Sequence, residues 1–199
     1  MAHTKVIKAA LLGAGTVGSG VYKLAKSVEQ DISNKTGAKL EITKVLVRNV
    51  EKDRPGIDRE VLTDQWNEIV NDPDIDIIIE LMGGIEPAKT YVLEALQAGK
   101  QVVTANKDLL AEHGQEVMSA ADKAVCDLQF EAAVAGAIPI IRPLKQSMAG
   151  NHITEVMGIV NGTTNYILTR MTEEGMDYAE ALAQATELGY AEADPTADV

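Results

Sequence analysis

The sequence predicts an α/β fold built on a doubly wound parallel sheet, and three observations predict it. Short apolar runs alternate with stretches of helical periodicity from Lys5 to Phe130. One of these runs, Ile77-Ile78-Ile79, is apolar without alternation, the pattern of a strand covered on both faces. The chain is 46% hydrophobic but only 4% aromatic, so its core rests on Val, Ile, Leu, Ala and Met, which suits a sheet layered by helices.

Taken in order, Lys5 to Leu12 is an apolar run that stops at Gly13 and reads as the first strand. Val17 to Val28 has helical spacing, with Val17, Val21, Leu24 and Val28 on one face. Asn34-Lys35-Thr36-Gly37 reads as a turn, and Leu40 to Val47 as a second strand. Asp64 to Asn71 predicts a short helix and Asp74 to Glu80 a third strand. Glu86-Pro87 opens a helix that runs to Ala98 and stops at Gly99, a left-handed cap. Gln101 to Val103 is a strand, Lys107 to Ala124 a helix and Val125 to Phe130 a further strand. Such alternation implies parallel strands joined by right-handed crossovers.

The pattern changes near Val134. Ala135-Gly136-Ala137-Ile138-Pro139 predicts a turn into a helix that reaches Met148. Ile153 to Val160 reads as a strand, and Thr163 to Met171 and Tyr178 to Leu188 as helices. The expected division is an α/β domain over 1–133 and the beginning of an α+β domain over 134–199.

Composition excludes several classes of function. A formal charge of −12 lacks the basic face that nucleic acid requires. No run reaches the ~18 apolar residues of a membrane span. Lys5 and Lys8 before Ala9-Ala10-Leu11-Leu12 look like the start of a signal peptide, but glycines interrupt the run and no A-x-A site follows. Cys126 is the single cysteine, so no internal disulfide forms and a reducing, cytoplasmic setting is expected. After Arg170 the charged residues are all acids, from Glu173 to Asp198, read chiefly as a solvated helical face.

Gly13-Ala14-Gly15-Thr16-Val17-Gly18 is the strongest local signal. Between a strand and a helix, this GxGxxG spacing is the phosphate-binding turn of a Rossmann domain. Gly13 makes the tight turn, Gly15 lets the pyrophosphate approach the backbone, and Gly18 lets the helix pack against the strand. The free N–H groups at the helix start favour the phosphate charge. A plain glycine-rich turn is the alternative. The end of the second strand selects the dinucleotide, because an NAD site usually carries an acid there for the ribose 2′-OH. Here the residues are Val47-Arg48-Asn49, with Lys52 and Arg54 close behind. Arg48 can pair with a 2′-phosphate, so NADP is expected over NAD, with a solvated loop arginine as the other reading.

Gly83-Gly84 and Thr104-Ala105-Asn106-Lys107 fall at the carboxyl ends of the third and fourth predicted strands, the edge where such sheets bind ligands. Lys107 begins a helix, where the dipole disfavours a cation. It is therefore expected to meet an anion or a reacting oxygen, or else to be an exposed helix-start lysine.

Four stretches together resemble homoserine dehydrogenase. They are Val103 to Lys107; Glu131 to Ile140 (EAAVAGAIPI); Gly158 to Leu168 (GIVNGTTNYIL); and Gly189 to Asp198 (GYAEADPTAD). They occur in the family's order and extend the likeness over essentially the whole chain.

The resemblance implies NAD(P)-linked interconversion of L-aspartate 4-semialdehyde and L-homoserine, on the route to threonine and methionine. Lys107 matches the family's lysine beside nicotinamide and substrate. Glu192 matches the carboxylate that binds the substrate's amino group, and Gly162 and Thr163 match the segment facing nicotinamide and substrate. Glu131, Val134, Gly136 and Ile138 match a loop that holds a monovalent cation, sodium or potassium, mostly through backbone carbonyls. A simple interdomain hinge would use the same residues. The resemblance also implies a homodimer of the full-length protein, with 134–199 opening the substrate and dimerisation domain. In the family, Gly-x-Asp-x-x-x-Lys follows Glu-Ala-Asp-Pro and supplies the principal acid–base lysine. This sequence ends at Val199, before that segment, so weak turnover is expected. The competing functions are another Rossmann reductase of small aldehydes and a non-catalytic NADP-binding module.

Overall fold

The structure is a computed structural model, and it describes residues 5–159 and 161–191. These fall into two compact units divided between Ala149 and Gly150. In the first unit the chain forms β1 (Lys5–Leu12), α1 (Thr16–Ser27), α2 (Glu29–Thr36), β2 (Ala38–Leu46), β3 (Leu62–Thr63), α3 (Asn67–Val70), β4 (Ile77–Glu80), α4 (Ala88–Gln97), β5 (Gln101–Thr104), α5 (Lys107–Ala124) and β6 (Leu128–Gln129).

The six strands make one sheet in the order β3-β2-β1-β4-β5-β6, all parallel. That is the Rossmann order, with its switch point between β1 and β4. Ala9 to Leu12 are wholly buried at the centre, as are Ile78 in β4 and Val102 in β5. One apolar cluster lies under α4 and α5 and includes Leu12, Ile78, Val92, Leu96, Val102, Leu109 and Val117. The other, around Leu11, Tyr22, Val45, Val47 and Ile57, packs beneath α1.

Several expectations are corrected. The buried face of α1 is not the Val17–Leu24 stripe: those two side chains are 60% and 59% exposed, while Gly18 and Tyr22 are buried. The close seat of Gly18 turns the helix so that the Tyr22 side faces the sheet. The stretch read as a turn at residues 34–37 is the last turn of α2, whose polar sequence has no apolar period and which ends on left-handed Gly37. β3 has only two residues and exists by pairing with β2 (Val45↔Leu62, Leu46↔Thr63), which no local pattern reveals. Val125, expected to open the last strand, is a left-handed helix cap at φ 56°, and the strand itself is confined to Leu128–Gln129.

After β6 the chain makes a 3₁₀ turn over Glu131–Ala133 and a π-helical turn over Pro143–Ser147. The second unit contains α6 (Gly162–Glu174) and α7 (Tyr178–Glu187), close to the two helices expected. They pack around Ile167, Ala181, Ala185 and Ala191. The strand expected over Ile153 to Val160 does not form in residues 153–159, where no strand of the sheet pairs with the chain; Val160 lies outside the described residues. A β-prone segment becomes a strand only when a neighbour takes its hydrogen bonds.

Candidate functional site

The turn after β1 sits at the switch point, and each of its glycines meets a different demand. Gly13 has φ +98°, and a Cβ there would lie 2.9 Å from the carbonyl oxygen of Leu81, just past the end of β4. Its N–H donates to Leu46 O at 3.0 Å, tying the turn to β2 as well. Gly18 is excluded from carrying a side chain by sterics alone: its Cβ would fall 2.1 Å from Gly13 O. A Cβ on Gly15 would meet nothing within 4 Å. Nothing in the protein demands a glycine at this third position, and the open space beside it is where a pyrophosphate would approach.

Gly15 also caps α1 without any side-chain bond, and the first helical hydrogen bond runs from Ser19 N to Gly15 O. The N–H groups of Thr16, Val17 and Gly18 therefore precede the helix's own ladder. They form the positive end of a 12-residue helix, a donor set that fits a phosphate group. Ala14 contributes its carbonyl to Ser19 Oγ at 3.3 Å.

Arg48 lies exposed two residues beyond the end of β2, with Lys52 exposed in the same loop. The loop is shaped by Arg54, whose Nη1 donates to the carbonyls of Asn49 and Lys52, each at 2.8 Å. Arg54 was read from sequence only as an added positive charge, whereas its guanidinium folds the loop that carries Arg48.

A connected set of hydrogen bonds joins the ends of β4 and β5. Glu80 is wholly buried and sits beside Thr104 in the parallel register. Its Oε2 accepts the Thr104 hydroxyl at 2.6 Å and its Oε1 accepts Met82 N–H at 2.8 Å. Thr104 Oγ1 in turn accepts Asn106 N–H at 3.0 Å. Asn106 Nδ2 donates to Gly84 O at 2.7 Å, and Asn106 Oδ1 accepts Leu109 N–H at 3.0 Å, capping α5. Gly83 and Gly84, at φ +72° and +70°, are thus held against the helix that Lys107 begins. Lys107 itself is exposed. Sequence reasoning gave Glu80 no role beyond ending a strand, and placed Asn106 in the strand-edge motif without its part as cap and link. Their signals were a carboxylate ending an apolar strand and an Asn directly before a helix.

The third predicted group surrounds Glu131. Its carboxylate accepts the N–H groups of Ile140, Ile141 and Arg142 at 2.6, 3.0 and 2.8 Å. The Ile140 bond foremost, with those of Arg142 and Ile141, holds the carboxyl below the usual glutamate range, against a smaller upward push from desolvation. Val134 and Ile138 are exposed in the intervening loop, in which Ala135 and Ala137 flank Gly136 at φ 48° and 68°. With Glu131 turned toward backbone amides, a cation in this loop would rest on carbonyl oxygens. Among the described residues no cluster of three His, Cys, Asp or Glu side chains is placed to hold a metal.

In the second unit, Asn161 caps α6 by accepting Thr164 N–H at 2.8 Å, with Gly162 exposed beside it. Thr163 is buried and its hydroxyl donates to Tyr190 O at 2.6 Å. Predicted Glu192 lies outside the described residues.

Two family models match successive parts of the chain. Residues 13–131 match the homoserine dehydrogenase NAD-binding domain, and residues 139–199 match homoserine dehydrogenase. The chain belongs to the homoserine dehydrogenase family.

It is 48% identical over 196 residues to homoserine dehydrogenase of Bacillus subtilis, covering 98% of this chain and 45% of that protein. The Corynebacterium glutamicum homoserine dehydrogenase is 52% identical over 190 residues, covering 96% and 43% of the two chains. Among solved structures, a homoserine dehydrogenase from Thiobacillus denitrificans superposes with a TM-score of 0.91 at 42% identity, covering 98% of this chain and 45% of that one. A hyperthermophilic archaeal homoserine dehydrogenase in complex with NADPH gives a TM-score of 0.80 at 26% identity, covering 98% and 65%. The chain spans a little under half the length of the curated homoserine dehydrogenases it matches.

Proposed function

We propose that this protein serves the NADP-linked interconversion of L-aspartate 4-semialdehyde and L-homoserine. The observation that carries the reading is the Gly13–Gly18 turn at the β1/β4 switch point of a chain that matches both homoserine dehydrogenase models. The N–H groups of Thr16, Val17 and Gly18 take the pyrophosphate charge, and Gly15 leaves the backbone open to it. When bound, the nicotinamide supplies the hydride chemistry, and the protein supplies position and charge. Lys107 stands at the β5 edge to orient and polarise a carbonyl oxygen. Gly162 and Thr163 line the substrate, and Glu192 receives its amino group.

Arg48 favours NADP over NAD by pairing with the 2′-phosphate, with Lys52 adding to the local positive field. In support, the archaeal homoserine dehydrogenase at TM-score 0.80 is a complex with NADPH. Residues 1–133 are assigned to the nucleotide and 134–199 to the start of the substrate domain. The carbonyls of Val134, Gly136 and Ile138, with Glu131 at the loop's base, are assigned to a monovalent cation. The assembly is assigned as a homodimer working in the cytoplasm; no described helix is long and apolar enough to cross a membrane.

Titration with NADPH and NADH tests the cofactor reading, using wild type and Arg48→Ala. NADPH affinity falls about tenfold in the variant while NADH affinity is unchanged, as expected for loss of one charge-assisted pair. Equal NADPH affinity in both proteins refutes the role of Arg48. Homoserine-dependent reduction of NADP by the whole protein tests the activity, which another small-aldehyde reductase would lack.

A further inference from the structure

Glu80 is a carboxylate that the reading above leaves without a task. It is wholly buried at the carboxyl end of β4, and its bonds go to Met82 N–H and the Thr104 hydroxyl. An apolar side chain would fill that place without the cost of desolvating a charge. The demand for an acid comes from the two donors, which reach different oxygens of the one group. Only a carboxylate accepts at both oxygens; a glutamine would turn an NH₂ toward Met82 N or Thr104 Oγ1.

The bonds continue outward on both sides. Thr104 Oγ1 receives Asn106 N–H, and Asn106 reaches across to Gly84 O while capping α5 through Leu109 N–H. Glu80 therefore grips the Met82–Gly84 turn directly through Met82. It grips the start of α5 through Thr104 and Asn106. Both features stand on the β4–β5 side of the switch point. The Gly13–Gly18 turn and Arg48 stand on the β1–β2 side, which receives the adenosine half of a dinucleotide.

We propose that Glu80 is a positioning residue for the nicotinamide half of the cofactor, locking the Gly83–Gly84 turn to the start of α5 so that the surface around Lys107 is formed before the cofactor arrives. This rests on the dinucleotide reading above. Its distinguishing consequence is that the two halves of the cofactor respond separately: the Met82 backbone packs beside Gly13, but the side-chain hydrogen bonds of Glu80, Thr104 and Asn106 go to Met82, Gly84 and α5, and none of these goes to the Gly13–Gly18 turn or the Arg48 loop.

The test compares NADPH with adenosine 2′,5′-bisphosphate, which carries the adenosine half alone. In Glu80→Gln the Kd for NADPH rises about tenfold, the scale of one badly matched buried hydrogen bond, while the bisphosphate Kd stays within about twofold. Thr104→Val, which removes the linking hydroxyl at nearly constant volume, gives the same split, and Thr104→Ser restores NADPH binding. Melting curves accompany each variant; should Glu80→Gln not fold, the Thr104 pair decides the question alone. Equal weakening of both probes, or no weakening of NADPH, overturns the proposal while leaving the cofactor reading intact. Failure of the unaltered protein to bind either probe overturns that reading, and this proposal with it.

Discussion

A Cβ placed on Gly18 would lie 2.1 Å from the carbonyl oxygen of Gly13, whereas one placed on Gly15 would meet nothing within 4 Å. The two glycines of one motif thus answer to different constraints, one inside the protein and one outside it. Gly18→Ala forces the turn and α1 apart, and is expected to cost about 1–3 kcal/mol of stability, the range for overpacking a tight contact. Gly15→Ala sits on extended backbone at φ −78°, ψ −159° with open space for its Cβ, and alanine is the poorer N-cap, so stability is expected to fall by no more than about 1 kcal/mol. NADPH affinity falls in both variants. Thermal melts beside NADPH titrations check the contrast, and a Gly15→Ala protein that binds NADPH normally would contradict it.

Lys100 is only 4% exposed, and its Nζ donates to Asp72 O at 2.6 Å and Ile75 O at 2.9 Å. Burial pushes its pKa down, partly offset by Asp72 and Asp76. The ammonium holds the loop before β4 at the amino end of the sheet, away from the glycine turn. Lys100→Met leaves two carbonyls without this donor and is expected to destabilise the fold by about 1–3 kcal/mol. Cofactor affinity should not change under conditions where the variant is folded. Denaturant unfolding and NADPH titration measure the two effects separately.

Glu131 provides a pH-dependent clasp on the loop that follows the sheet. Its folded pKa lies below the ordinary glutamate value of about 4.3, so in the window between them the unfolded chain binds more protons. The stabilisation is complete above that ordinary value and is lost as pH falls through the folded one. Protection of the Ile140, Ile141 and Arg142 amides against hydrogen exchange should hold from pH ~7 to ~5 and drop at more acid pH. In Glu131→Gln the protection should be lower throughout and lack this acid transition. The same acid transition in Glu131→Gln would assign it to another group.

The Thr163 hydroxyl bonded to Tyr190 O ties the start of α6 to the segment leading to Glu192. Thr163→Val keeps the volume and removes the donor from a buried site. The second unit is expected to lose about 1–3 kcal/mol, with faster amide exchange at Gly189 to Ala191. Thr163→Ser should retain the protection. Unchanged exchange in Thr163→Val would show that the segment is held by the Ile167 and Ala191 packing alone.

Much of this architecture was legible in the chain because it is encoded locally. β1 and α5 match their expected bounds: one is an apolar run that a glycine ends, the other a helix read over Lys107 to Ala124. α1 was legible as a helix but not in its rotation, since Val17 and Leu24 look like a core stripe until the seat of Gly18 is known. α2 escaped because Glu29 to Thr36 has no apolar periodicity to read. The expected strand from Ile153 has suitable residues but no pairing partner in residues 153–159.

By itself the sequence determined the fold class, the glycine turn and membership of the homoserine dehydrogenase family, because these reside in local patterns and in motifs whose order survives without coordinates. Tertiary structure decided which groups act together. Glu80 and Thr104 are 24 residues apart and become neighbours only through the parallel register of β4 and β5. Glu131 reaches Arg142 across a loop. Hydrogen bonds depend on distance and direction in space, which the crossovers of the sheet set and which the spacing of residues along the chain does not express.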